Sequence, residues 1–302
     1  MHVIRIASRG SQLSLIQVKT VIEVLRNFVN DEFEVKIIKT RGDADTHRPL
    51  YEMGGKGLFE AEVNLAVLRG EADIAVHSLK DIPAQISDGL ELAMVTERQD
   101  PRDAIISIKG YSLDTLPSKA RIGTSSLRRR GFALAVRSDL QVEPIRGNVD
   151  TRLRKLLSRE FDALIMAVAG INRIGADNID IVPIPPSQMP PAPGQGIIGV
   201  VARSDNPLIP ILHRASHRET EIEAMAERAF LEEAGAGCHV PLGGLASVSG
   251  DRLSFTAGIV EPNGGNRLII TGSAPLSEAT ELGRKMARLV LDEARRRGLN
   301  LY

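Results

Sequence analysis

The chain has one cysteine, no tryptophan, three tyrosines and seven phenylalanines in 302 residues. A lone cysteine excludes an internal disulfide and fits a reducing compartment, so a cytoplasmic location is expected. Aromatic residues at 3% leave few rings on which bases could stack, which weighs against a single-strand nucleic-acid groove. Net charge is missing as well. Thirty-eight basic residues balance 38 acidic ones, so no bulk positive field draws in nucleic acid. No apolar run approaches the roughly 18–20 residues that cross a bilayer, so no membrane association is expected. The opening Met1-His2-Val3-Ile4-Arg5-Ile6 enters a strand pattern without the apolar stretch of a secretory signal. What is present is ordinary for a globular chain: 43% apolar and 25% charged residues, with length for two or three cores.

Periodicity orders the chain into blocks. Residues 3–7, 34–40, 72–76 and 90–96 read as strands, with helical spacing at 13–28 and 58–68. The polar, glycine-bearing stretch 43–57 reads as a long mobile loop. Polar 97–102 marks a crossing into a second block with strands at 104–108, 121–123, 141–145 and 163–168, and helices after Ser126 and Asn148. Six prolines in 182–193 end both patterns and predict a connector. The strand-like run 197–202 fits best in the first block's sheet. A helix at 222–233 follows, then hairpin-like strands at 243–248, 253–260 and 267–271 and an amphipathic helix at 277–297. Strand–helix alternation predicts an α/β fold of two doubly wound, parallel-rich open sheets, and the tail a small α+β domain.

The chain is organised around residues 120–152. An apolar run there breaks into Gly123-Thr124-Ser125-Ser126, then Arg128-Arg129-Arg130; a second break at Ile145-Arg146-Gly147-Asn148 leads to Arg152. Both read as a strand feeding a polar loop and a helix N-terminus, whose unpaired N–H groups suit anions. Arginine adds planar donor forks matched to carboxylate or phosphate. A solvated helix face would explain a basic triplet by itself; the adjacent hydroxyls and the second Arg-bearing loop favour an anion-binding cleft. In open α/β sheets ligands bind beyond the carboxyl ends of strands. Ser8–Ser11, Ser78–Asp81, Thr124–Arg129 and Arg146–Asn148 all occupy such places. The simplest geometry is a cleft between two domains with loops on each wall.

Other motifs fail on context. Gly194-Gln195-Gly196-Ile197-Ile198-Gly199 matches a dinucleotide fingerprint as a string, but a proline run precedes it and a β-like run follows. Gly54-Gly55-Lys56-Gly57 lacks the hydroxyl of a P-loop, since Leu58 follows. His213 and His217 could share a helix face, yet no third ligand has a suitable spacing, so no metal is expected. Asp81, at a strand end before Ile82-Pro83, is either a turn former or an acid among cations able to stabilise positive charge or shuttle a proton. Cys238 is either a small buried side chain or, in its glycine-rich loop before His239-Val240-Pro241, a nucleophile or attachment point.

Taken together the strings resemble the porphobilinogen deaminase (hydroxymethylbilane synthase) family. They are Ser8-Arg9-Gly10-Ser11 with Leu15 and Gln17; Gly57-Leu58-Phe59; the run from Ala72 to Pro83; the run from Gly123 to Arg129; Ile145-Arg146-Gly147-Asn148-Val149 with Thr151-Arg152-Leu153; Pro191-Ala192-Pro193-Gly194-Gln195-Gly196; and Gly237-Cys238 with Val240-Pro241. The resemblance implies two periplasmic-binding-protein-like lobes, 1–97 with 196–214 and 98–195, plus a cysteine-bearing domain at 215–302. It implies a dipyrromethane cofactor held as a thioether on Cys238, and a monomeric transferase of tetrapyrrole and heme (porphyrin) biosynthesis. That enzyme would join four porphobilinogens head to tail, release ammonia at each step, and free hydroxymethylbilane by hydrolysis. The family pattern places Ser78, Lys80, Asp81, Thr124, Ser125, Ser126, Arg128 and Arg129 at the cofactor. It places Arg9, Ser11, Gln17, Arg146, Gly147, Arg152 and Gln195 at substrate and growing chain. Asp81 would assist amine loss, stabilise the cationic azafulvene and help remove the proton after coupling. At Glu60-Ala61-Glu62-Val63-Asn64 the chain departs from the family pattern, and Arg130 receives no contact. A non-catalytic bilobal module closing on a small dicarboxylate is the rival reading.

Overall fold

The computed structural model describes residues 3–40, 60–235 and 240–300. In chain order it begins with β1 (Val3–Ser8), α1 (Gln12–Leu25), β2 (Glu32–Ile37), α2 (Ala61–Leu68), β3 (Ile74–Ser78) and β4 (Leu90–Val95). Next come β5 (Asp103–Ser107), β6 (Arg121–Gly123), α3 (Leu127–Val136), β7 (Gln141–Glu143), α4 (Val149–Leu157), β8 (Ala163–Ala167), α5 (Val168–Ile174) and β9 (Asp180–Pro183). The chain continues through β10 (Ile198–Arg203), α6 (Ile209–Ala215) and α7 (Arg218–Glu233). It finishes with β11 (Leu242–Ser249), β12 (Arg252–Val260), β13 (Arg267–Pro275) and α8 (Ala279–Arg296). Two compact units result: residues 3–40, 60–99 and 196–221, and residues 100–195, 222–235 and 240–300.

The first unit holds a five-stranded sheet in the order β2-β1-β3-β10-β4. β1 runs parallel to β2 and β3, while β10 lies antiparallel between β3 and β4. The late strand therefore joins the first sheet, as its apolar run predicted. Helix α1 starts where Ser11 accepts a hydrogen bond from the Ser14 N–H at 3.2 Å, satisfying one of the orphan donors of the first turn. Its Val18, Val21 and Leu25 then bury against Ile4, Ile6 and Ile74. β2 starts and stops earlier than the expected 34–40 because it pairs along the whole of β1, from Glu32 opposite Val3 to Ile37 opposite Ser8. The expected loop at 43–57 and the motif Gly57-Leu58-Phe59 lie outside the described residues.

In the second unit a five-stranded sheet has the order β7-β6-β8-β5-β9 with the same pairing pattern. β6 is parallel to β7 and β8, and β5 is antiparallel to β8 and β9. In each sheet four of the five strands therefore run the same way and one, β10 or β5, runs against them, so the sheets are parallel-rich as expected with a single reversed strand. Two expectations are corrected here. The connector does not begin at 182: Ile181 and Val182 pair with Ile106 and Ile105, and Pro183 is tolerated because β9 is an edge strand. The apolar run near 168 turns into α5, since a buried strand and a buried helix cannot be told apart by periodicity over so few residues.

The C-terminal part of this unit is an antiparallel meander, β11-β12-β13. Leu282, Met286, Val290 and Ala294 recur along one face of α8 and bury in a shared core with Phe230, Phe255 and Ile259. Helix α7 begins four residues before the expected 222, with Glu219 and Glu221 in the first turn where the helix dipole favours acids. Pro190 lies so close to β11 and β12 that a Cβ at Gly243 would strike its carbonyl and one at Gly258 its ring. Among the described residues no helix is long and apolar enough to cross a membrane.

Candidate active site

In the second unit the two anticipated loop-to-helix breaks are present and tied together. β6 ends at Gly123, and Ser126 caps α3 by accepting from the Arg129 N–H at 3.3 Å. Thr124 donates its N–H to the Glu143 carbonyl at 2.9 Å, and its Oγ1 accepts from the Ser126 N–H. Ser125 Oγ donates to the Ile145 carbonyl and accepts from the Ile145 N–H at 3.1 Å, so the first loop fixes the backbone entering Arg146. Asn148 caps α4 through its Oδ1 and the Thr151 N–H at 3.2 Å. Gly147 turns with φ +103°, where any Cβ would meet Thr151 at 2.6 Å. Arg152 folds back one turn and donates from Nε to the Gly147 carbonyl at 2.9 Å. Hydroxyls and arginines are thereby held on two adjoining helix N-termini.

Arg128 and Arg129 are not surface forks. They are 5% and 8% exposed and flank Asp103, which is fully buried at the start of β5. Arg128 Nη1 donates to Asp103 Oδ2 at 2.6 Å and to the Pro190 carbonyl at 2.7 Å. Arg129 Nε donates to Asp103 Oδ1 at 2.9 Å, Nη1 to the Ile165 carbonyl, and Nη2 to Gln195 Oε1 at 3.2 Å. Gln195 Nε2 completes the cluster by donating to Asp103 Oδ1 at 2.9 Å and the Pro101 carbonyl at 2.7 Å. Burial pushes the Asp103 carboxyl up, but the two guanidiniums more than offset it and hold it well below the usual carboxylate range. Two guanidiniums against one carboxylate leave a net positive charge in a dry setting. Arg128 Nε and Nη2 are the donors that Asp103 and Pro190 do not use. Asp103→Asn removes the charge but keeps the shape, and is expected to cost about 3–5 kcal/mol, as for other buried pairs broken on one side. Urea unfolding checks this; an unchanged midpoint would show that the cluster contributes nothing to the fold.

In the first unit β3 runs into a tight turn, Leu79–Asp81, anchored by the Leu79 N–H on the Ile197 carbonyl at 3.0 Å. Lys80 is half-buried and Asp81 is exposed at the turn's end. Gln17 is 2% exposed on α1 and donates from Nε2 to Ser78 Oγ at 2.7 Å. Ser11 Oγ serves the α1 cap and lies 2.7 Å from Ser14 Oγ, while Arg9 is half-buried. His77 is buried in β3, with Nε2 2.9 Å from Asn64 Oδ1. Burial, aided by Arg9, lowers its pKa to about 4, so the ring is neutral near pH 7 and donates to Asn64.

Sequence reasoning passed over Asp103, Arg173, Asn64 and Glu227. Arg173 lies in the last turn of α5, and burial lowers its pKa to about 10. Asp103 carried a signal: an acid opening an otherwise apolar strand must have a cationic partner. Glu227 carried a related signal, an acid on the apolar side of a helix whose oxygens must find hydrogen-bond donors. Asn64 carried none, since a polar residue in a short helix is unremarkable by itself. Cys238 lies outside the described residues. Among those described, no group of three His, Cys, Asp or Glu could hold a metal ion.

Residues 4–210 match the family model "Porphobilinogen deaminase, dipyromethane cofactor binding domain", and residues 221–292 match "Porphobilinogen deaminase, C-terminal domain". The chain is 49% identical over 291 residues to "Probable porphobilinogen deaminase" of Pyrobaculum neutrophilum, covering 95% of this chain and 97% of that one. It is 42% identical over 295 residues to "Porphobilinogen deaminase" of Syntrophomonas wolfei, covering 97% and 96%. Among solved structures, the periplasmic VFT2 domain of Bordetella pertussis BvgS aligns at a TM-score of 0.42 with 15% identity, over 70% of this chain and 86% of that one.

Proposed function

This chain belongs to the porphobilinogen deaminase family, and on that premise we propose that it is a hydroxymethylbilane-forming transferase. It joins four porphobilinogens head to tail, releases ammonia at each step and frees the tetrapyrrole by hydrolysis. The observation that carries the reading is the buried, net-cationic cluster of Arg128 and Arg129 around Asp103, beside three hydroxyl side chains at a helix N-terminus. Each pyrrole unit brings an acetate and a propionate, so the product accumulates carboxylates that need such donors.

The same donors fit a dipyrromethane, whose carboxylates match guanidinium, hydroxyl and N–H groups. When bound, that cofactor supplies an electron-rich pyrrole carbon as nucleophile. Lys80, Thr124, Ser125, Ser126, Arg128 and Arg129 hold its carboxylates in this reading, with Cys238 as attachment point. Ser78 faces the cofactor in this reading, and Gln17 acts through Ser78, whose hydroxyl it orients. Arg9, Ser11, Arg146, the Gly147 turn and Arg152 take the carboxylates of substrate and growing chain. Gln195 acts through Arg129, whose fork it helps fix. Asp81 accepts or returns the proton at the pyrrole nitrogen and stabilises positive charge as ammonia departs.

The three-domain division at 1–97 with 196–214, 98–195 and 215–302, a monomeric state and a cytoplasmic location belong to the same proposal. Incubating the purified protein with porphobilinogen tests it. Release of ammonia with formation of hydroxymethylbilane is expected; tight binding without turnover would instead leave a binding module.

A further inference from the structure

Glu227 is a carboxylate with no exposure, set on the apolar side of α7 among Ala226, Ala229 and Phe230. Its Oε2 accepts from the Gly194 N–H at 2.5 Å and its Oε1 from the Ala246 N–H at 2.8 Å. Packing alone does not call for an acid there, because burying a carboxylate is costly unless its oxygens are satisfied. Two backbone donors facing one side chain select a residue with two acceptors and no donor, which only Asp or Glu supplies. The two donors belong to different segments. Ala246 is in β11, and Gly194 is the turn residue directly before Gln195.

That turn contains a left-handed glycine. Gly194 has φ +78°, and the turn closes with the Gln195 N–H on the Ala192 carbonyl at 3.0 Å. A left-handed glycine is conformationally permissive, so the direction of the Gln195 side chain must be set by contacts outside the turn. Gln195 then reaches Asp103 and Arg129 with both ends of its carboxamide. We propose that Glu227 is a positioning residue: through the Gly194 N–H it fixes the turn that aims Gln195 at Asp103 and Arg129. It thereby sets the geometry of the guanidinium cluster from the helix that leads toward position 238. The kinetic part of this inference rests on the proposed function; the structural part does not.

A double-mutant cycle on the full-length holo-protein tests it, using Glu227→Gln, Gln195→Ala and the pair. A carboxamide turns an NH2 toward one of the two N–H donors, so Glu227→Gln loses at least one bond while keeping size. Each single change is expected to lower kcat/KM about tenfold, and the pair no further than the worse single, because both act through one contact chain. Amide exchange at Gly194 and Gln195 should accelerate in Glu227→Gln while β8 stays protected. Effects that multiply, or unchanged protection at 194–195 in folded Glu227→Gln, would overturn the assignment. If Glu227→Gln does not fold, Glu227→Asp, one methylene short of the same donors, takes its place with the same two outcomes. A wild type inert toward porphobilinogen would sink the proposed function, while the exchange readout would still decide the role of Glu227.

Discussion

Asp81→Asn is expected to keep fold and bound cofactor and to lower kcat by roughly 10²–10⁴, the usual contribution of a positioned acid or base. The turn that carries Asp81 does not depend on its carboxylate. Leu79 is pinned to the Ile197 carbonyl, and the Ile82 N–H closes the turn on the Leu79 carbonyl, both at 3.0 Å. Leu79 and Ile82 are 2% exposed, so apolar burial holds the turn on either side of an exposed Asp81. Asparagine matches aspartate in shape but carries no charge and cannot take a proton from a pyrrole nitrogen. The loss should therefore fall on turnover and leave urea unfolding and the mass of the holo-protein as in the wild type. Turnover within a fewfold of wild type would remove Asp81 from the chemistry.

Cys238→Ser is expected to abolish turnover altogether and to leave the purified chain at the mass of its amino acids. The thiol is the one sulfhydryl in the sequence, and a serine hydroxyl is a far weaker nucleophile at neutral pH than a partly ionised thiol. Intact mass spectrometry reads the result directly: wild type should exceed the chain mass by an adduct, and the variant should not. The same pair should differ in colour with acidic dimethylaminobenzaldehyde, positive for wild type alone. An unmodified wild type with full activity would contradict thioether attachment.

Asp81 and Cys238 are candidates from the sequence because each stands out locally, one at a strand end before a proline and one as a unique thiol. The loops at Thr124–Ser126 and Arg146–Asn148 were legible because a strand breaking into hydroxyls, glycine and asparagine must pass through a cap. Both caps are found at Ser126 and Asn148. Arg128 and Arg129 were legible as anion-seeking residues, whereas their burial was not. That depended on Asp103 from another strand and Gln195 from beyond the connector, brought together by long-range packing. The hydrogen bond of Gln17 to Ser78 was likewise not legible, because the two lie 61 residues apart.

By itself the sequence determined the local alphabet: which runs alternate, which stretches cap helices, where glycine permits a turn, and which residues can carry charge or a thioether. Those properties depend on a residue and its neighbours within a turn or two, so they survive without the fold. Only the tertiary structure decided that two sheets share one pairing pattern, each with an antiparallel strand fourth in the order. It likewise decided which acid neutralises which guanidinium. Strand pairing and ion pairing are choices among distant partners. Burial makes those choices, because a carboxylate such as Asp103 or Glu227 can remain in a dry interior only where the chain has delivered its donors.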